Sequence, residues 1–195
     1  MLPKQSQKCT PGGVPQEPPN PARRRFLSGL ASFSALALAG PASAFADREE
    51  RVLSFVNTHT SDRLTVPYFA DGGYLVDSLS RLDRFLRDHR TGEEHRMDPA
   101  LFDLLHDLRS ATGARRPFQV ISAYRSPRTN GMLHAATRGV AERSLHLSGQ
   151  AIDIRVSDVS TAILRDAAKE LGRGGVGYYR QSDFIHVDTG RVRFW

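Results

Sequence analysis

The run Ser144-Leu-His-Leu-Ser-Gly-Gln-Ala-Ile-Asp153 sets an imidazole, His146, and a carboxylate, Asp153, around a glycine and a short apolar stretch. Residues of these two types bind divalent cations, and two ligands leave such an ion half coordinated. Near the C-terminus, Asp183-Phe-Ile-His-Val-Asp188 offers a third ligand in His186. The sequence therefore predicts a fold that brings three distant side chains, His146, Asp153 and His186, onto one zinc ion. Three protein ligands with a position left for water is the catalytic zinc arrangement, whereas structural sites are closed by four ligands, mostly cysteines. The single cysteine, Cys9, stands far upstream, and one cysteine excludes a disulfide framework.

The 195 residues are 39% hydrophobic and 25% charged, which fits one soluble globular domain. The formal charge of +6 is concentrated at the start: five of the 27 basic and one of the 21 acidic residues precede Asp47, leaving an excess of two bases from Asp47 onward. The later arginines are scattered among acids, so a clustered basic face for nucleic acid is not expected. Residues 1–22 are polar and proline-rich. They lead into Arg23-Arg24-Arg25-Phe26-Leu27, an apolar stretch from Leu30 to Ala39, and a small-residue exit at Ala42-Ser43-Ala44 or Ala44-Phe45-Ala46. Charged, apolar and small-residue parts in that order make a secretory signal, and the apolar part is too short to span a bilayer. The arginines ahead of Phe-Leu resemble the twin-arginine export signal, with an ordinary Sec signal as the alternative. Residues 1–46 thus read as export signal and 47–195 as the mature domain. That domain is expected to be a monomer in the periplasm or otherwise outside the cytoplasm, without stable membrane insertion.

Along the mature chain, Arg51 to Asn57 reads as a strand, and the spacing of Leu75, Leu79, Leu82, Phe85 and Leu86 predicts an amphipathic helix. Asp98-Pro99 reads as the cap and first turn of a second helix ending near Thr112. Phe118 to Ser122 has the composition of a central strand and presents Arg125 at its exit. That arginine either pairs with a nearby acid or serves a site. Thr129 to Arg143 reads as a helix or irregular excursion, with His134 able to line a cleft. Gly149 to Val156 holds a strand with Ala151 and Asp153 on one face and Ile152 and Ile154 on the other. A helix follows from Val159 to Leu171. The glycine-rich passage Gly172 to Gly177 lacks the lysine of a phosphate loop and is read as close backbone packing before a strand at Val176–Tyr179. A four-residue connection then predicts an antiparallel hairpin with Phe184–Asp188. Its alternation points His186 and Asp188 the same way, and its turn is expected to bring Asp183 near. His59, His89, His95 and His106 are read as surface or satisfied-core residues.

The pattern Ser-x-His-x-x-x-Gly-x-Ala-x-Asp, with Ser-x-Tyr-Arg-Ser upstream and Asp-x-x-His downstream, resembles the zinc D-alanyl-D-alanine peptidases. Together with Asn57-x-His59-Thr60, Arg87-Asp88-His89-Arg90, the Gly174 to Tyr179 run and His186-Val187-Asp188-Thr189-Gly190, it looks like the exported murein endopeptidases of that clan, once known only as a domain of unknown function. The resemblance implies a small single α+β domain of the hedgehog-like type, with a central antiparallel sheet flanked by helices and a zinc cleft on one sheet face. It implies one Zn²⁺ on His146, Asp153 and His186, Asp183 as general base and Arg125 as the substrate-orienting residue. Arg125 would either hold the developing oxyanion or grip a substrate carboxylate. Ser144, Tyr124, Asp188 and His134 are expected around these, orienting ligands or touching substrate. The implied substrate is the peptide cross-link of peptidoglycan, either D-alanyl to diaminopimelate or diaminopimelate to diaminopimelate. A carboxypeptidase or amidase acting on stem peptides and a non-catalytic cell-wall-binding zinc module are the other two readings.

Overall fold

The structure, a computed structural model, describes residues 49–136 and 140–195. The export signal and its cleavage positions lie outside the described residues. In chain order the elements are β1 (Arg51–Asn57), β2 (Arg63–Ala70), β3 (Gly73–Tyr74), α1 (Val76–Phe85), α2 (Pro99–Thr112), β4 (Phe118–Ser122), α3 (Pro127–Ala136), β5 (Ala151–Arg155), α4 (Thr161–Leu171), β6 (Gly175–Tyr179), β7 (Phe184–Asp188) and β8 (Arg193–Phe194). The strands make one eight-stranded sheet in the order β3-β2-β1-β4-β5-β7-β6-β8. The pairs β1/β4 and β6/β8 are parallel and the other neighbours antiparallel, so the sheet is mixed rather than wholly antiparallel. Parallel pairing needs a long crossover, and the stretch carrying α1 and α2 between β1 and β4 supplies it. Among the described residues, no helix is long and apolar enough to cross a membrane.

Helix ends follow local chemistry. The Asp98 side chain accepts from the Ala100 N–H ahead of Pro99, and Gly113 closes α2 in the left-handed conformation at φ 66°. Ser160 caps α4 through the Ile163 N–H, and Gly172 closes that helix at φ 61°. Leu82, Leu101, Leu105 and Leu164 are fully buried and pack, as part of one core, with Leu53, Phe55, Ile152, Ile154, Ile185 and Val187 from the sheet.

That core fixes the site. Side chains alternate across a strand, so sending Ile152, Ile154, Ile185 and Val187 into the apolar layer turns Asp153, His186 and Asp188 to the opposite sheet face. Burying each of these aliphatic side chains contributes about 1.5–3 kcal/mol. A register slip of one residue would reverse both sets and put two carboxylates and an imidazole into the core.

Candidate metal centre

Asp153 and His186 are direct partners across the antiparallel β5/β7 ladder. His146 reaches them from a 3₁₀ turn at Leu145–Ser148. The Ser144 hydroxyl caps that turn by accepting from the His146 N–H at 3.4 Å, and Gly149 closes it at φ 69°. A Cβ at Gly149 would run into the Arg96 carbonyl, so both the backbone conformation and the space require glycine there. The loop after β4 clasps the same turn. The Arg125 N–H donates to the His146 carbonyl at 3.1 Å, and the His146 Nδ1 lies 2.6 Å from the Ala123 carbonyl. Asp88, itself buried, anchors this loop by accepting from the Ser126 N–H at 2.9 Å, the Ser126 hydroxyl at 2.8 Å and the Arg90 N–H at 2.9 Å.

The outer hydrogen-bond partners assign one hydrogen to each ring. Nδ1 of His146 faces a carbonyl, which only accepts, so Nδ1 carries the hydrogen. Nε2 of His186 lies 2.9 Å from the Asp188 carboxylate, so Nε2 carries the hydrogen there. The inward-facing nitrogens, His146 Nε2 and His186 Nδ1, lie 3.1 Å apart. Asp153 Oδ1 closes the triangle at 3.2 Å from His146 Nε2 and 2.9 Å from His186 Nδ1. With the His186 ring singly protonated at Nε2, Nδ1 is an acceptor and the three converging atoms form a ligand set for a cation; a doubly protonated ring donates to Asp153 instead. Ligand atoms at about 2.0–2.1 Å from a tetrahedral zinc stand about 3.3 Å from one another, and the triangle is within a few tenths of an ångström of that. A ring N–H given to a carbonyl or carboxylate on the far side is the usual support of a metal-binding imidazole. The donor set thus fits zinc.

The charges agree. Burial raises the Asp153 carboxyl, but His146 and His186 outweigh it and hold the group well below the ordinary carboxylate range. Burial lowers the His146 imidazole despite Asp153, favouring the neutral ring a metal needs. For His186, burial is outweighed by Asp153 and Asp188, which raise it. Asp188 is fully buried, yet His186, Arg193 and the N–H groups of Gly175 and Gly190 hold it ionised far below its usual range.

Around this triangle lies a cleft of about 430 Å³. Arg125 donates from Nε to the Ser122 hydroxyl at 2.8 Å and from its other end to Asp153 Oδ2. The acid it pairs with is therefore one of the expected ligands. Two glycines on β6 shape the far wall. Gly177 stands opposite His186 in the ladder, and a Cβ there would come within 2.7 Å of the Trp195 indole, which packs 5.3 Å from the His186 ring between centroids. A Cβ at Gly175 would meet Asp188 and Arg193 at 2.5 Å. The expectation of close backbone packing at this glycine run holds. Tyr179 and Phe184 stack at 4.6 Å and continue the wall, and the Trp195 Nε1 donates to the Tyr179 hydroxyl at 3.1 Å.

Three expected neighbours lie elsewhere. The hairpin turn does not bring Asp183 to the triangle: its carboxylate accepts from the Thr161 hydroxyl at 2.9 Å and lies 3.7 Å from Arg155, beside α4. Tyr124 is buried with its ring stacked on His95 at 4.7 Å. His134 is exposed on α3, 2.7 Å from the Val140 carbonyl, in a separate hollow. Ser144 lies at the cap of the His146 turn and Asp188 against the His186 ring. Sequence reading passes over Arg143, Tyr179, Phe184, Arg193 and Trp195, all of which line the cleft. The strand alternation that pairs His186 with Asp188 also places Phe184 on their face, and that signal could have found it.

A mixed α/β domain carrying a His-Asp-His triangle on one sheet face is the frame of a metallopeptidase, and the comparisons agree with that class. The chain belongs to a murein endopeptidase family related to the M15 metallopeptidases: the family described as peptidoglycan L,D-endopeptidase MepK matches residues 45–195. The chain is 40% identical over 177 residues to "Peptidoglycan L,D-endopeptidase MepK" of Escherichia coli (strain K12), covering 89% of this chain and 97% of the relative. It is 42% identical over 146 residues to "Probable peptidoglycan L,D-endopeptidase MepK" of Haemophilus influenzae, covering 74% of this chain and 78% of the relative.

Proposed function

We propose that this protein is an exported zinc endopeptidase that hydrolyses the peptide cross-links of peptidoglycan outside the cytoplasm. The observation that carries the reading is the convergence of three possible ligand atoms, His146 Nε2, Asp153 Oδ1 and His186 Nδ1, each supported from behind. The family's name supports the choice of bond. An L,D cleavage fits the diaminopimelate-to-diaminopimelate link, because the D-alanyl link begins at a D-centre.

A zinc ion held by these residues would lower the pKa of a bound water from about 16 to about 7 and polarise the scissile carbonyl. The chain's own groups prepare that chemistry. Ala123 and Asp188 each take the hydrogen of one outer ring nitrogen, which turns the inner nitrogen of both rings toward the metal position. Arg125 holds Asp153 by Oδ2 and leaves Oδ1 turned to the triangle. The remaining guanidinium N–H groups of Arg125 are the proposed donors to the substrate carbonyl. Asp183 can serve as proton acceptor only by leaving Thr161 and Arg155, and we propose that hydrolysis proceeds with it in its place beside α4.

Incubating zinc-loaded protein with purified muropeptide dimers and monomers, then resolving the products by mass, tests the reading. Loss of diaminopimelate-linked dimers is expected, and His146→Ala must abolish it. Shortened monomers would make the protein a carboxypeptidase. Retained binding with no product would make it a wall-binding module.

A further inference from the structure

We propose that Arg143 binds a free carboxylate of the substrate beside the scissile bond, an inference that rests on the peptidoglycan reading above. Among the described residues three arginines line the cleft, and two of them are committed. Arg125 is held by Asp153 and Ser122. Arg193 gives both terminal nitrogens to Asp188, at 2.7 and 3.1 Å. Arg143 forms no hydrogen bond or ion pair with the described residues and opens into the cleft. Asp153 and Asp188 balance the charges of the first two, so among the described residues Arg143 is the cleft arginine left over for a ligand. Glu142 gives it no local partner, because that side chain lines the separate hollow under α3.

The backbone that carries Arg143 is pinned on both sides. The buried Asn130 side chain donates to the carbonyls of Ala141 and Glu142 at 3.3 and 3.1 Å. On the other side Ser144 caps the His146 turn. A guanidinium on such a base meets a carboxylate in a two-pronged, charge-assisted contact with little ordering left to do. Stem peptides joined through diaminopimelate carry free carboxylates next to the link, and Arg143 is placed to select for one.

The test uses two synthetic cross-linked stem peptides that differ only in whether the diaminopimelate carboxyl beside the scissile bond is free or a carboxamide. Zinc-loaded wild type is expected to show a KM about tenfold lower for the carboxylate, the low end of what a charge-assisted pair contributes at a cleft rim. Arg143→Ala is expected to raise KM for the carboxylate substrate about tenfold, to leave kcat within about threefold, and to lose the preference over the carboxamide. Arg143→Lys should retain part of it. A variant that keeps the full preference, or a wild type that shows none, overturns the assignment. If wild type cleaves neither peptide, the endopeptidase reading fails; calorimetric binding of the same pair to wild type and Arg143→Ala then decides the clamp by the same criterion. A thermal melt of Arg143→Ala matching wild type separates lost recognition from lost structure.

Discussion

Asp183 precedes His186 by three positions, and the left-handed backbone at Asp183, φ 51°, turns its carboxylate toward α4 while His186 faces the cleft. An amide at 183 can still accept from Thr161. Asp183→Asn is therefore expected to hold kcat within about tenfold of wild type; a loss of 10²–10⁴-fold, the usual worth of a general base, would mean that the carboxylate swings across during turnover. His89 offers a second measurement at this scale. Its ring stacks on His59 at 3.9 Å. Burial, with repulsion from His59 and Arg90, lowers it to about 4 against the pull of Asp88. The unfolded chain takes up this proton near pH 6.5, whereas the folded protein resists until about pH 4. The unfolded state thus binds more protons across that window, and stability falls as pH drops through it and is level above it. In His89→Gln that component is gone, so the gap between variant and wild-type melting temperatures should narrow as pH falls from about 7 to about 5.

Elements show which features the sequence discloses. β5 and β7 are legible because their aliphatic and polar residues alternate, and α2 is legible because Asp98, Pro99 and Gly113 mark both ends. β2 escapes although Leu64, Val66 and Tyr68 alternate, because Pro67 argues against a central strand. The structure resolves this: β3 spans two residues and pairs only with Phe69 and Ala70, so the strand is an open edge at Pro67. β8 is too short for any periodicity, and Arg193 and Trp195 reach the cleft only through its parallel pairing with β6. The His-Asp-His triangle is legible from residue types, but its wall is not, since nothing local in the sequence ties Gly177 to Trp195. The turn that delivers His146 can be tested through its last residue. Gly149→Ala forces a side chain into a left-handed position against the Arg96 carbonyl. It is expected to destabilise the fold by more than about 1 kcal/mol in denaturant titration and to weaken zinc binding as well.

At the scale of the whole molecule, one sheet separates an apolar layer from a polar face, and the triangle sits on the polar face at β5 and β7. A cation held by the three converging ligand atoms would bind the folded chain alone. At a hundredfold excess over its Kd it should stabilise the fold by about 2.7 kcal/mol. For a domain of this size that raises Tm by roughly 5–10 °C. Chelation should reverse the shift, and His186→Ala should show neither response in differential scanning calorimetry.

Trp195 is the only tryptophan in the chain, and its indole rests against the ring of His186. All of the intrinsic tryptophan emission therefore originates within van der Waals reach of a proposed ligand. The unlabelled protein carries its own optical gauge of what occupies the cleft.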